Sequence, residues 1–463
     1  MIDNHLINAV LDEAHTQGAD FCDLFIEKNR FQNLRVLDGK VVDSSAGIDF
    51  GIGIRLLYGD NVVYGHTNRI EKDELIRITR LLGAQYKNNK KNRSPWPALR
   101  SLSRASSSLF DFPFDQTTTQ NKLYFLQQLQ EAAKAQSPLI VQCSSSFYQG
   151  TQDVQIVNSQ GLNVADQRHY LRLNGNVIAQ QHNERATGTY SPGATYGLDL
   201  LHDLDPKQIA EYIAKQALTK LDAEVCPSGS MPVIIGSEFG GVIFHEACGH
   251  PLETSSVAKK SSVFWDKMGQ AIASPVVNAF DDGTPAGLWG TLAVDDEGMP
   301  VQKTQLIKDG ILTSFMVDYV GHLKTGYART GSGRRQSYHF APTSRMRNTY
   351  IAPGKSKLED MIKSIDHGIY CKAMGGGSVN TATGEFNFSA QESYLIKHGK
   401  IATPLKGATL IGRGPDVIKK ISMVGDKIVY SAGTCGAASG SIPVTVGQPD
   451  LKVDEILVGG GAK

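Results

Sequence analysis

The chain changes texture once, at Cys226-Pro227-Ser228-Gly229, and that break constrains its fold more than any other feature. Before it, helical and strand patterns are mixed; after it come apolar β segments and glycine turns with few helices. At 463 residues the chain also exceeds the size at which a single hydrophobic core keeps growing. The reading is therefore α+β. An N-terminal α/β domain over 1–225 is followed by a mainly β domain over 226–463, which carries one short helix of chemical interest.

In the first part, Ile7, Val10, Leu11 and Ala14 recur at helical spacing and Gly18 closes the pattern. Strands are expected over 21–27, 33–37 and 40–43, around the turn Asp38-Gly39, and over 51–57 and 61–64 around Tyr58-Gly59-Asp60. Leu75, Ile78 and Leu82 mark a second helix. From about Lys87 to Thr119 the composition turns polar, with Lys90-Lys91-Asn92-Arg93-Ser94-Pro95 and Ser106-Ser107-Ser108, and reads as a mobile connection. A helix near 121–135, strands over about 138–189, and a helix opening at Asp205-Pro206 with the face Ile209, Ile213, Ala217 and Leu221 complete this half.

A formal net charge of +1 gives no basis for capture of nucleic acid or of an anionic membrane surface. The start, Met1-Ile2-Asp3-Asn4-His5, lacks a basic flank and apolar run, and no uncharged apolar stretch is long enough to span a bilayer. A cytoplasmic protein is expected. Six cysteines are scattered without tight pairs, so buried thiols are the default, and a special one is a metal ligand or nucleophile before it is half of a disulfide.

The apolar stretch Met231-Pro232-Val233-Ile234-Ile235 reads as a buried strand, and Gly236-Ser237 can open a helix through His245-Glu246-Ala247-Cys248-Gly249-His250. Zinc favours imidazole nitrogen, and a peptidase needs a carboxylate able to take a proton from the attacking water. The usual zinc-peptidase signature spaces its histidines four apart on one helical face; here the spacing is five, about 140° apart on a regular α-helix. Both rings can address one ion only if the helix holds a wide π-type turn or a break near Cys248-Gly249, and Pro251 just beyond removes a helical donor. The competing reading makes His245 and His250 core or capping residues beside a surface glutamate. A third protein ligand is also required, and Cys435 in the glycine-flanked Ser431-Ala432-Gly433-Thr434-Cys435-Gly436 is the best candidate. On spacing alone, a buried inert thiol there is equally acceptable.

The chain resembles the TldD/PmbA metallopeptidase family, in its catalytic TldD branch, whose pattern is His-Glu-x-x-x-His with a distant cysteine. The likeness runs from Gly18-Ala19-Asp20 and Asp38-Gly39-Lys40 through the histidine segment with Pro251-Leu252-Glu253, Asp281-Asp282-Gly283-Thr284, Asp295-Asp296-Glu297-Gly298 and Arg345-Met346-Arg347-Asn348-Thr349-Tyr350. It continues through Gly375-Gly376-Gly377, Gly384-Glu385-Phe386-Asn387-Phe388-Ser389 and Gly433-Thr434-Cys435-Gly436 to Val446-Gly447-Gln448-Pro449. The resemblance implies that His245, His250 and Cys435 hold zinc and that Glu246 is the general base. It also implies a dimer enclosing the active site, either a homodimer or a heterodimer with a PmbA-type relative that lacks the metal motif, and unstructured peptides as substrates.

An extended peptide could pair with an edge strand by β-augmentation, and Gly375, Gly376 and Gly377 would let its backbone approach; a tight loop needing glycine dihedrals explains them as well. Glu253 could orient His250 or face solvent at a helix end. Arg334-Arg335 and Arg345 with Arg347 could clamp a carboxylate or decorate a solvated face, and His322 and His339 could assist a tetrahedral intermediate or sit in the core. Asp295-Asp296-Glu297-Gly298 lacks the alternation of a calcium loop and reads as a turn. The rival function is a peptide-binding or regulatory subunit with a structural zinc and no hydrolysis, which a fourth protein ligand would favour. A metal-dependent oxidoreductase has no dinucleotide fingerprint to support it.

Overall fold

The computed structural model describes residues 2–86, 95–106, 117–380 and 382–460. Helix α1 (Asn4–Thr16) is capped by the Asp3 side chain and buries Ile7, Val10, Leu11 and Ala14. The hairpin strands expected as short pieces form two long ones, β1 (Phe21–Leu37) and β2 (Lys40–Tyr58), in unbroken antiparallel register apart from one irregularity at Arg35/Val36. The polar middle of each strand hid its continuity: residues 40–46 are exposed, yet β1 between Lys28 and Leu37 is held on its other side by β5 (Ile140–Asn158).

Strand β3 (Asn61–Thr67), helix α2 (Lys72–Gly83) and helix α3 (Thr119–Lys134) follow the periodicities. The connection expected over 87–119 contains a short strand, β4 (Ser103–Ser106), drawn into parallel pairing by β6 (Asn163–Gln181). Of that segment, 87–94 and 107–116 lie outside the described residues. With β7 (Glu184–Tyr190) and β8 (Gly193–Ala194), these strands make one eight-stranded sheet, ordered β3-β2-β1-β5-β6-β4 with β7 and β8 also on β6. Beyond a short helix α4 (Asp199–Asp203), α5 (Pro206–Leu221) begins as its sequence dictates, with the Asp205 carboxylate accepting from Lys207 N at 2.8 Å and proline in the first turn. Its buried face, Ile209, Ile213, Ala217 and Leu221, packs with Leu126, Leu129 and Leu173.

After residue 225 two sheets dominate. Five strands close on themselves: β10 (Gly229–Glu238) lies between β17 (His367–Asn380) and β24 (Leu451–Gly459), β24 pairs β20 (Thr409–Arg413), β20 pairs β18 (Glu385–Lys397), and β18 returns to β17. Strand alternation sorts their side chains. Val233, Ile235, Ile369, Cys371 and Val453 enter the main core, while Ile234, Tyr370 and Ile396 face a second cluster with Met361 and Ile365. The other sheet has six strands and includes β16 (Asn348–Ile351), β23 (Gly440–Gln448) and, at its edge, β22 (Val429–Ala437). All six cysteines are free and buried. Among the described residues no helix is long and apolar enough to cross a membrane.

Candidate metal centre

Strand β10 runs to Glu238, further than the sequence suggested, because the Gly236–Glu238 backbone stays engaged. Ser237 N donates to Asp450 Oδ1 at 3.0 Å and Glu238 remains paired with Ala373. The chain reverses at Phe239, whose φ is +57°, and enters a single α turn, Gly241–Phe244. There Gly241 is obligatory for close approach, since a Cβ would lie 2.6 Å from the Gly447 nitrogen of β23. A π turn, His245–Gly249, follows, and then a 3-10 turn, His250–Leu252, that accommodates Pro251. His250 N–H donates to His245 O, a bond of the i→i+5 type. That bond brings the second histidine back beside the first. The five-residue spacing, incompatible with one face of an α-helix, becomes compatible with one ion.

The imidazoles lie with centroids 5.1 Å apart at 85°. Cys435, on edge strand β22 and 185 residues away in sequence, brings its Sγ to 3.3 Å from His250 Nε2. Ligand atoms of His245, His250 and Cys435 all lie within 4.8 Å of one another, and all three residues are buried. Burial alone would raise the Cys435 thiol, but His245 and then His250 beside it outweigh burial and hold it down at about 4. Burial disfavours the His250 cation, yet the Glu253 carboxylate and the Cys435 sulfur push it well above the usual imidazole range. Thiolate and imidazole form a soft nitrogen and sulfur donor set suited to zinc, and His245 Nδ1 is a buried polar atom with no hydrogen-bond partner among the described residues. The residues present fit such an ion. No fourth histidine, cysteine or acid joins the group among the described residues.

Glu246 projects from the same π turn. Its Oε2 is 3.7 Å from His250 Nε2, and its side chain is 27% exposed, so it reaches both the donor set and solvent. Glu253 does not face solvent: it is buried and its Oε2 lies 3.1 Å from His250 Nδ1. That contact fixes the ring so that Nε2 faces Cys435. Arg345, fully buried, joins the two halves of the site. Its Nε lies 3.9 Å from Glu253 Oε1, and its Nη2 donates to Cys435 O at 2.6 Å. The i+3 spacing of His250 and Glu253 was a usable signal; Arg345, expected to clamp a carboxylate or decorate a solvated face, instead lies against Glu253 and the Cys435 carbonyl, a role that no local pattern announced.

The arginine pairs are neither surface decoration nor, for Arg345 and Arg347, free clamps. Arg347 pairs with Asp281 at 2.8 Å and donates to Thr330 O and Gly331 O. Arg335 packs over Phe25 and donates to Asp296 O. His322 Nδ1 bonds Tyr327 O at 2.7 Å, and His339 packs against the Tyr338 ring and meets His66 edge-on, so neither histidine joins the metal group. Gly375, Gly376 and Gly377 lie in a bulged stretch of β17 and none takes a positive φ, which sets aside the tight-loop explanation. Gly376 is open to solvent, with room for a close backbone neighbour. Asp295-Asp296-Glu297-Gly298 is a turn, but its acids are buried and hold the N-terminal sheet. Asp296 pairs with Arg168 of β6 at 2.6 Å, and Glu297 pairs with Arg55 of β2 at 2.8 Å.

Family models match most of the chain: PmbA/TldA metallopeptidase domain 1 over 22–82, the central domain over 112–221 and the C-terminal domain over 228–460. A Haemophilus influenzae protein named as a metalloprotease TldD homolog is 36% identical, covering 97% of this chain and 95% of its own. One from Saccharolobus solfataricus, named as a zinc metalloprotease TldD homolog, is 25% identical over 97% of this chain and 99% of its own. Two crystal structures share the fold at low identity. TldE from Thermococcus kodakarensis gives a TM-score of 0.74 at 17% identity over 98% of this chain and 99% of its own. A Thermotoga maritima protein described as a modulator of a DNA gyrase gives 0.79 at 20% over 98% and 99%.

Proposed function

The chain belongs to the PmbA/TldD metallopeptidase family, and from that premise we propose that it is a zinc-dependent peptidase acting on unstructured peptides. One observation carries the reading: two imidazoles and one thiolate converge within 4.8 Å, beside a carboxylate that is not among them. His245, His250 and Cys435 would hold the ion, leaving, among the described residues, a position free of protein, as catalytic rather than structural zinc requires. Zinc when bound would lower the pKa of water and polarise a carbonyl oxygen. Glu246, partly exposed at the mouth of the site, takes the proton from the attacking water and returns it to the leaving amine. Glu253 holds the His250 tautomer, and the buried wall behind the donor set excludes bulk water.

An extended peptide fits the reading at Gly376 in the bulged stretch of β17, where nothing lies within 4 Å of an added Cβ and a strand could pair without reading side chains, whereas Gly377 is a glycine because its own neighbour Asn387 O leaves no room for a Cβ. The division at residue 225, a cytoplasmic location, and a homodimer or a heterodimer with a PmbA-type relative belong to the same proposal. The test is Glu246→Gln on the full chain, with and without a co-expressed relative. Zinc content stays, and cleavage of an unfolded casein-like substrate disappears. Unchanged turnover in that variant removes Glu246 from the mechanism. Unchanged turnover after chelation removes the metal.

A further inference from the structure

Cys435 reaches the histidines from the edge strand of its sheet, paired with β23 and flanked by exposed Thr434 and Gly436. The histidines come from a different element, the turn that follows β10. A metal–sulfur distance has to be right to about 0.2 Å. A strand held along one side does not fix a thiol that closely against a separate turn, so the two elements need a common support.

Ser344-Arg345-Met346 touches both. On the histidine side, Ser344 Oγ accepts from Ser255 N at 2.8 Å, two residues past Glu253. Fully buried Met346 fills the space that a Cβ would take on Gly249, the last residue of the π turn. Arg345 Nε lies 3.9 Å from Glu253 Oε1, the carboxylate that holds His250. On the cysteine side, Arg345 Nη2 donates to Cys435 O at 2.6 Å, and its Nη1 donates to Ser439 Oγ at 2.8 Å and Gly440 O at 2.9 Å, at the tip of the β22–β23 hairpin. The Met346 carbonyl is tied to the same hairpin, because Arg334 Nη1 donates to it and to Pro443 O at 2.8 Å each. A planar guanidinium presents its donors in a fixed fork, so the position of Cys435 relative to Glu253 and His250 is set through one rigid group.

We infer that Arg345 is a positioning residue for the metal centre: it holds the cysteine hairpin against the histidine turn before any ion arrives. This role presupposes the His245, His250 and Cys435 ligand set of the proposed function. Cobalt(II) accepts the same donors as zinc, and a thiolate bound to it absorbs in the near ultraviolet, so the full chain, stripped by chelator, is titrated with cobalt chloride. Zinc competition against a chromophoric chelator gives the affinity. Arg345→Lys keeps the charge but loses the fork; it should bind zinc about 10- to 100-fold more weakly and give a smaller thiolate band per bound cobalt. Ser439→Ala removes one acceptor and leaves the guanidinium in place, and it should weaken zinc binding several-fold. If Arg345→Lys does not fold, Ser439→Ala decides. An arginine that merely stabilised the fold would lower the urea midpoint and leave both metal readings of the folded chain unchanged. That result, in folded Arg345→Lys or in Ser439→Ala, overturns the positioning role while the ligand set stands. A missing thiolate band in the unmodified chain instead removes Cys435 from the ligand set, and the role of Arg345 falls with it.

Discussion

Glu253 provides the sharpest quantitative handle on the metal centre. It does two things at once: it receives His250 Nδ1 at 3.1 Å and lies 3.9 Å from the Nε of buried Arg345. Glu253→Gln keeps an acceptor for the ring but removes the charge, whereas Glu253→Ala removes both. Loss of such an outer carboxylate costs about 10- to 100-fold in metal affinity, or about 1.4 to 2.7 kcal/mol. Glutamine should sit near the lower end and alanine near the upper. Alanine should also lower folding stability by about 1–3 kcal/mol, because Arg345 keeps its bonds to Ser439, Gly440 O and Cys435 O but loses its carboxylate. Zinc competition against a fluorescent chelator at fixed pH reads the first effect, and urea unfolding of the metal-free chain reads the second. If Glu253→Ala holds zinc as tightly as the unmodified protein, the carboxylate is not what orients His250, and the proposed division of labour at the site is wrong.

Three further outcomes are expected. Arg55→Met leaves Asp23 and Glu297 buried without their shared cation and should cost about 3–5 kcal/mol in denaturant unfolding. Gly241→Ala drives a methyl against the Gly447 backbone and should cost about 1–3 kcal/mol while weakening zinc binding, since the π turn must shift. Burial and the nearby Glu297 raise Asp318 from 3.8 to about 6. The folded state therefore binds the extra proton, so this contribution to stability is full below about pH 4 and is lost as pH rises through 6. Asp318→Asn keeps the acceptor for Gly321 N and Thr254 and cannot lose that proton. Relative to the unmodified chain it should gain about 3 kcal/mol between pH 4 and 7 by chemical unfolding; a pH-independent difference would contradict this.

Local physics carried far in this chain. The four apolar positions of α1 and the Asp205-Pro206 opening of α5 needed no tertiary information, and a histidine spacing of five already demanded a widened turn, which the structure contains. What stayed hidden was non-local. The closed five-strand ring depends on β18 returning to β17 after pairing β20, which no strand's own pattern encodes. Ser103–Ser106 is polar and becomes a strand only because β6 offers an edge. Three consecutive acids at 295–297 look like a solvated turn, since the cations that bury two of them, Arg55 and Arg168, sit more than a hundred residues upstream. Cys435 was singled out by glycine-rich surroundings, but only family resemblance separated it from an inert thiol, because the bond that matters crosses 185 residues.

The widened turn at His245–Gly249 also bears on how sites of this kind are found. Inserting one residue into a helix normally rotates everything beyond it onto another face; here the lengthened hydrogen-bonded loop absorbs the insertion and returns the second ring to the first. Screens keyed to histidines four apart will pass over such chains, whereas a rule written for the closing backbone bond rather than for residue count would catch both geometries.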